Sequence, residues 1–272
     1  MIYKMAKEIF NAKRDWILRL ESCTDLFHWI SEVDFDKIII LWHIATKLCY
    51  CPDKEEYPEK DINESANGSG NPPDSNNVDI EEQECKLSKV LSDYMLYLLI
   101  IQSTMLSIVV GIGRIRFRDT CAEAKKFFQG RKIGKLEKGK NCCLNISPGN
   151  AAPKGKRDWV NYKCKCILFV NTVVEHVTVK GDRSKSVLFD VSMLAQELKR
   201  LGRERVWKII SKVWVELMSY AAGRCRASTH AAQLSKGGEL LSLVWLLMAR
   251  LGLGDQFQIS EGHARAKLIV KK

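Results

Sequence analysis

Three polar side chains that lie in largely apolar stretches are the candidates for a functional site: His43, His230 and Glu239. Titratable groups gathered in one cleft mark functional sites, because such sites shift the pKa values of the groups they contain. The three are far apart along the chain, so they share a polar pocket only if the fold brings them together. The alternative is that each is a packed helix residue with local hydrogen bonds. We therefore predict no catalytic residue and keep the polar pocket as a hypothesis.

Cys225 and His230 could form a nucleophile and its base, because a nearby imidazole activates a thiolate. On one continuous helix, however, a spacing of five residues places the two side chains well apart around the axis. No orienting third residue or oxyanion loop accompanies them. An enzyme with a cryptic His/Cys/Glu site is thus an alternative function that requires convergence in the fold.

The ten cysteines show no standard zinc spacing. The close pairs are Cys49-x-Cys51, Cys142-Cys143, Cys164-x-Cys166 and Cys225-x4-His230. The segment Gly134–Asn141 fits the phosphate-binding pattern G-x-x-x-x-G-K, but Asn141 replaces the Ser or Thr that a P-loop uses. No apolar strand precedes this segment. We predict neither a metal nor a cofactor.

A strongly basic stretch runs from Arg114 to Lys165, with 15 basic and 4 acidic residues. Such a stretch can meet nucleic-acid phosphates or an anionic lipid surface, and a solvated loop is the structural alternative. No nucleic-acid fold motif accompanies the charge. The predicted anionic-surface contacts are Arg114, Arg116, Arg118, Lys125, Lys126, Arg131, Lys132 and Lys135.

Length and composition are those of a folded protein, and its fold must position the candidate residues named above. The chain has 272 residues, of which 46% are hydrophobic, and a formal net charge of +11. These values exclude a small disulfide-stapled fold and a wholly disordered chain. The N-terminus has no apolar signal region, so we expect an intracellular protein, cytosolic or membrane-associated and not secreted, with reduced thiols.

Apolar periodicity predicts helices on both sides of an acidic segment. Ile9–Ile30 repeats apolar residues at spacings of three and four, and Asp34–Cys49 is apolar all round its middle. Asp53–Glu84 carries eleven acids and two lysines among Gly, Pro, Asn and Ser, which is typical of a disordered linker.

The next segment, Tyr94–Gly113, is uncharged over 20 residues and is followed by arginines. It is either a marginal transmembrane helix, a buried helix, or two helices broken near Gln102-Ser103-Thr104. Thr120 and Glu123 have the spacing of a capping box that opens a short helix ending near Phe128.

The C-terminal part returns to helical periodicity. Gly202 is placed to end one helix, and Gly237-Gly238 predicts a break before another. Ser235 is expected to cap the helix after that break, with Glu239 near its positive end.

The predicted fold class is mainly α, an irregular helical bundle with a short strand near 167–179. The predicted division is a helical pair over 1–52, an acidic disordered linker over 53–85, a helical segment over 86–135, a basic irregular loop over 136–168, and a C-terminal helical domain over 169–272.

Two stretches carry a family resemblance. They are ILWHIATKLCYC over Ile40–Cys51 and WVELMSYAAGRCRASTHAAQLSKGGELLSLVWLLMARLG over Trp214–Gly252. They resemble a plant family of uncharacterised proteins that contain the domains of unknown function forty-two-twenty and five-nine-four. The family implies no catalytic residues. It does imply several upstream membrane helices in full-length members, so this chain is expected to correspond to the soluble C-terminal half.

The resemblance favours one function among the open ones. We predict a non-enzymatic helical interaction module, the cytosolic part of a plant membrane-associated family, with a basic loop near an anionic leaflet. A nucleic-acid-associated basic protein and a cryptic enzyme are the alternatives. The protein partner, and any small-molecule ligand, are not identified by the sequence.

Overall fold

The computed structural model describes residues 14–50, 75–107, 110–130, 156–168 and 186–251, which form a bundle of helices. No β-strand occurs within these ranges, and the predicted mainly α fold class is confirmed. In chain order the described helices are α1 (Trp16–Leu20), α2 (Phe35–Tyr50), α3 (Ser75–Ile100), α4 (Gly113–Gly130), α5 (Lys156–Leu168), α6 (Val187–Arg200), α7 (Arg203–Arg224), α8 (Ala227–Leu234) and α9 (Leu240–Arg250), with a 3-10 helix over Thr24–Trp29.

Helix α2 lies at the centre of the bundle and packs against α3, α4, α5 and α6. Its middle is buried on every side, since the five residues Ile38–Trp42 are each 0% exposed. Complete burial of one large apolar side chain stabilises a fold by about 1.5–3 kcal/mol. The helix is therefore the core element that its uniformly apolar sequence predicted.

Helix α7 encloses the core from another side, where it packs against α1, α3 and α9. Trp214 is 0% exposed, and its indole Nε1 donates to Thr46 Oγ1 at 3.1 Å. The Thr46 hydroxyl donates in turn to the carbonyl oxygen of Trp42 at 2.7 Å. Because each polar atom in this chain of bonds has a partner, the bonds offset the cost of burying these groups between α2 and α7.

The first helix is shorter than the predicted Ile9–Ile30. Its first residues lie outside the described ranges, and α1 ends at Leu20. Ser22 then has a φ angle of 55°, which a right-handed helix cannot contain. Glu21, directly before it, forms an ion pair with Lys212 of α7. A tertiary contact therefore lies at the point where the predicted helix breaks.

The acidic segment predicted as a disordered linker over 53–85 is partly helical. Helix α3 begins at Ser75, so the prediction of disorder was wrong from that residue onward. The preceding part of the segment lies outside the described ranges. The guanidinium of Arg203, at the start of α7, lies 2.6 Å from the carboxylate of Glu81. Arg203 thus offsets part of the negative charge that made this segment look disordered from its composition.

The uncharged segment Tyr94–Gly113 is not one continuous helix. Helix α3 ends at Ile100 and α4 begins at Gly113, so of the three alternatives the structure agrees with a break near Gln102-Ser103-Thr104. Arg114 Nε donates to the carbonyl oxygen of Ile100 at 2.6 Å and so satisfies an end group of α3. Among the described helices, none combines the length and apolar character needed to cross a membrane.

Helix α4 begins well before Thr120, so the capping box prediction was wrong. The hydroxyl of Thr120 lies inside the helix and donates to a backbone carbonyl one turn earlier at 2.8 Å. Glu123 accepts a hydrogen bond from Ser186 Oγ at the start of α6 instead. Gly113 suits the start of α4 because a Cβ atom there would collide with the Leu99 side chain of α3.

The basic irregular loop predicted over 136–168 gives way to a helix. Residues 156–168 form α5, so the loop prediction was wrong for them, and 136–155 lie outside the described ranges. The strand predicted near 167–179 meets the described chain only at its first two residues, and both are helical.

Side chains of α6 explain why α5 ends as a helix. Ser192 Oγ donates to the carbonyl oxygen of Ile167 at 2.9 Å, and Gln196 Nε2 donates to that of Leu168 at 2.7 Å. These side-chain donors bond to carbonyl oxygens in the last described turn of α5. The apolar, β-branched sequence here could not reveal these contacts.

Left-handed glycines separate the C-terminal helices. Gly202 has a φ angle of 84° between α6 and α7, and Gly237 and Gly238 have φ angles of 106° and 91° between α8 and α9. This conformation costs other residues roughly 1–2 kcal/mol, and the predicted breaks at these glycines are confirmed. The prediction that Ser235 caps α9 was wrong. Ser235 is the C-cap residue of α8, and Glu239 is the N-cap residue of α9.

Candidate functional site

His230 lies on α8 and is 0% exposed. Its Nδ1 lies 3.0 Å from Ser242 Oγ of α9, and its Nε2 lies 3.1 Å from the carbonyl oxygen of Ala222 of α7. A carbonyl can only accept, so Nε2 carries the proton and Nδ1 accepts from the serine. The ring also stacks on Trp245 with centroids 4.7 Å apart. Since burial lowers the pKa of His230, the ring is a neutral bridge between three helices.

His43 connects α2 to α3. Its Nδ1 lies 2.9 Å from Ser92 Oγ and 3.8 Å from a carboxylate oxygen of Asp93. Burial lowers the pKa of His43, and the positive charge of Lys47 lowers it further. Lys47 itself lies 2.6 Å from the same Asp93 oxygen. The imidazole of His43 is therefore neutral and packed, and Lys47 forms the ion pair with the Asp93 carboxylate.

Glu239 stands at the N-terminus of α9. One of its carboxylate oxygens accepts a hydrogen bond from the Tyr94 hydroxyl of α3 at 3.0 Å. The same hydroxyl accepts from the backbone N–H of Leu241 at 2.9 Å, so Tyr94 caps α9 from a neighbouring helix. Burial raises the pKa of Tyr94 above its usual range, which keeps the hydroxyl protonated and able to donate.

The three residues of the predicted polar pocket bond to different partners. His43 bonds to α3, His230 bonds to α7 and α9, and Glu239 bonds to Tyr94. All three lie in the described part of the chain, and no hydrogen bond or ion pair links any two of them there. Each bonds to a neighbouring helix, which favours the structural interpretation of these residues, and the shared polar pocket stays a prediction.

Cys225 and His230 do not have the geometry of a nucleophile and its base. Helix α7 ends before Cys225 and α8 begins after it, so the two residues do not lie on one continuous helix. Both nitrogens of His230 already have partners on other residues. Burial raises the pKa of the Cys225 thiol, which disfavours the reactive thiolate.

Metal-ligating side chains do not cluster in the described ranges, where no group of three or more His, Cys, Asp or Glu residues is arranged to hold an ion. Three of the sequence features considered for such chemistry lie outside those ranges: Cys51, Cys142-Cys143 and the P-loop-like segment Gly134–Asn141.

Helix α4 presents a row of cations to solvent. Spacings of four and seven residues place three of them on one side of the helix, and the fourth lies beside that row. The exposed cations are Arg114, Arg118, Lys125 and Lys126. Two isoleucines, Ile112 at 54% and Ile115 at 49% exposure, are exposed at the start of this helix.

The remaining predicted cations behave differently. Arg116 faces the bundle, where its guanidinium lies 2.9 Å from Asp34 and 3.2 Å from Asp36 at the start of α2. Its side chain is only 20% exposed. The other three predicted contacts, Arg131, Lys132 and Lys135, lie outside the described ranges.

Glu216 is a buried carboxylate that no sequence pattern singled out. It lies on α7 at 2% exposure, where its two oxygens accept from the backbone N–H groups of Trp16 at 2.9 Å and Ile17 at 3.2 Å. Glu216 thereby caps α1 across the bundle. Burial raises the pKa of Glu216 to about 7, and the neighbouring Asp15 carboxylate raises it further. The available signal was a lone acid within an apolar helical run.

Residues 199–253, which contain α7, α8 and α9, match the family described as "Protein of unknown function, DUF594". None of the curated proteins and none of the solved structures compared with the chain matches it. The family match supports a C-terminal domain of unknown function, in agreement with the resemblance at Trp214–Gly252, and it assigns no role to any residue.

Proposed function

We propose that the chain is a non-enzymatic helical interaction module that attaches to an anionic membrane surface through α4. The exposed row of four cations on α4 carries this proposal. Ile112 and Ile115 add apolar groups of the kind that insert at the boundary between head groups and acyl chains. The bonded Nδ1 of His43 and the two bonded ring nitrogens of His230 support a role without catalysis.

The size of this attachment follows from simple electrostatics. A basic residue close to an anionic leaflet contributes about 1 kcal/mol, so four contribute roughly 4 kcal/mol. That energy corresponds to a weak, reversible association. Salt screens it, because the Debye length is about 8 Å at physiological ionic strength.

The proposal includes a cellular setting. We infer that the chain is an intracellular protein, the cytosolic part of a plant membrane-associated family. The sequence resemblance over Ile40–Cys51 and the family match over 199–253 support this setting.

Vesicle flotation tests the attachment. The full chain is mixed with phosphatidylcholine vesicles that either contain or lack phosphatidylserine, and the bound fraction is measured at low and moderate salt. The triple variant Arg118→Gln, Lys125→Gln, Lys126→Gln should weaken binding to the anionic vesicles by about a hundredfold, since it removes three such contributions.

A matched triple variant removes the same charge elsewhere. Arg226, Lys236 and Arg250 are exposed on or beside α8 and α9, and their replacement by glutamine should leave flotation unchanged. Equal losses in both triple variants, or equal binding to neutral vesicles, would contradict a specific role for α4. Binding to duplex nucleic acid without lipid, with a steep salt dependence, would favour the nucleic-acid alternative.

A further inference from the structure

A cavity of about 470 Å³ lies where α7 ends beside the loop that precedes α2. This volume is within the range of small-molecule sites. Arg14, Glu32, Asp34, Tyr220 and Arg224 contribute to its lining. None of these residues belongs to the predicted polar pocket or to α4, so the cavity is separate from both.

Two guanidinium groups meet on one ring in this cavity. The Cζ atoms of Arg14 and Arg224 lie 5.2 Å and 5.4 Å from the centroid of the Tyr220 ring. Within the described chain neither arginine forms an ion pair, and Arg14 makes only a long hydrogen bond of 3.5 Å to the carbonyl oxygen of Val33. Two positive charges that line one cavity without an ion-pair partner among the described residues attract an anion.

The ring that the two arginines contact also packs against the core. Tyr220 packs against Phe35 with centroids 5.2 Å apart, and Phe35 is 4% exposed. A guanidinium above an aromatic face keeps its N–H donors free for a ligand. One bidentate arginine fills a carboxylate, whereas a phosphate has oxygens for two arginines. Phosphate is therefore the better match for this pair.

The acidic residues of the lining indicate which second charged group the ligand carries beside its phosphate. Asp34 lies 2.9 Å from Arg116, so its charge is already offset. Glu32 is exposed and forms no ion pair with any residue in the described ranges. Its carboxylate repels a bare phosphate and attracts an ammonium group.

We propose that this cavity binds a small zwitterion that carries both a phosphate and an ammonium group. The phosphate binds Arg14 and Arg224, and the ammonium group faces Glu32. Free phosphoethanolamine and the head group of phosphatidylethanolamine share this chemistry. The site uses no residue of α4, so it does not depend on the proposed attachment to anionic membranes.

Calorimetric titration of the full chain tests the site with three probes: phosphoethanolamine, inorganic phosphate and ethanolamine. Phosphoethanolamine should bind more tightly than either of the others. Arg224→Gln should weaken phosphoethanolamine and phosphate by about tenfold or more, as expected for a lost charged hydrogen bond. Glu32→Gln should weaken phosphoethanolamine but strengthen inorganic phosphate, and this opposite response identifies a zwitterion site.

Arg226→Gln is the control, because it removes an exposed arginine close to Arg224 in the chain but outside the cavity lining. It should leave all three titrations unchanged. The proposal is overturned if no probe binds, if Arg224→Gln binds as the wild type does, or if Glu32→Gln changes both phosphate ligands in the same direction. Thermal unfolding verifies that each variant folds, and Arg14→Gln repeats the test from the other arginine.

Vesicles separate the two sources of the ligand. Phosphatidylcholine vesicles with and without phosphatidylethanolamine are both neutral, so the cations of α4 do not distinguish them. Flotation that requires phosphatidylethanolamine and is lost in Arg224→Gln identifies the head group as the ligand. Titration with phosphoethanolamine but no flotation identifies the free molecule.

Discussion

Helices α2 and α9 are both strongly apolar in sequence, yet the structure buries them to different extents. In α2, the residues Ile38–Trp42 are all 0% exposed. In α9, Leu243 and Leu247 are each 52% exposed, although every residue of the helix except Ser242 and Arg250 is apolar. The neighbours explain the difference, because α2 packs against four helices and α9 against α7 and α8. Apolar composition indicates that a helix joins a core, and neighbours decide how many of its sides are buried.

The largest expected effect is in α2. Ile39→Ala removes a fully buried side chain and should lower the free energy of unfolding by about 2–5 kcal/mol, since the surrounding helices cannot close the cavity. Urea denaturation measures it. Ile112→Ala, at a position that is 54% exposed, is the matched control and should change stability far less. Similar losses at the two positions would contradict the central position of α2.

The buried carboxylate of Glu216 makes the stability of the fold depend on pH. The pKa of Glu216 is raised to about 7 in the folded chain, so the native state binds the proton more tightly than the unfolded state does. Stability attributable to this group is complete below pH ~4.5 and falls as pH rises to about 7, by up to about 3 kcal/mol. Glu216→Gln should flatten this part of the stability profile relative to the wild type. An unchanged slope in that variant would show that the carboxylate is solvated, and Glu32→Gln, at an exposed position, is the control.

A smaller loss of stability is expected where Tyr94 of α3 bonds to α9. Tyr94→Phe removes the hydroxyl that caps Leu241 and donates to Glu239, and should cost about 1–2 kcal/mol. Amide hydrogen exchange should accelerate in α9 and remain slow in α2, because only α9 loses a bond. Equally faster exchange in α9 and α2 would mean that the two helices unfold together, which would contradict the difference drawn between them.

The smallest effect is expected on the outer side of α9. Leu243→Ser and Leu247→Ser replace side chains that are half exposed, so each should change the free energy of unfolding by about 0.5 kcal/mol or less. A loss comparable to that of Ile39→Ala in the same urea assay would show that this leucine side is packed in solution.

Some elements could be predicted from the sequence because their signals are local. The all-round apolar run of α2 indicated a buried helix, and Gly202 and Gly237-Gly238 indicated helix breaks, since few other residues tolerate left-handed backbone. The interruption near Gln102-Ser103-Thr104 was one of three alternatives for its segment, indicated by polar residues within an apolar run.

Other predictions failed where a distant side chain decides the outcome. The acidic start of α3 is helical beside Arg203, and the last described turn of α5 accepts hydrogen bonds from Ser192 and Gln196 of α6. The first helix breaks beside Glu21, which is held from α7. Each of these contacts joins residues far apart in the chain, so no local pattern contains them.

The candidate sites divide in the same way. The cations of α4 were identifiable from charge density alone, although only their helical setting separates the exposed Arg118 from the inward Arg116. The paired arginines on Tyr220 had no sequence signal, because Arg14 and Arg224 lie far apart in the chain.

By itself the sequence determined the helical fold class, the basic character of α4 and the glycine breaks, because periodicity, charge and backbone freedom are properties of short stretches. Only the tertiary structure decided which apolar sides are buried, which charges are paired and which polar groups share a cavity. Those outcomes depend on desolvation, and desolvation is set by neighbours that the chain brings together from far apart.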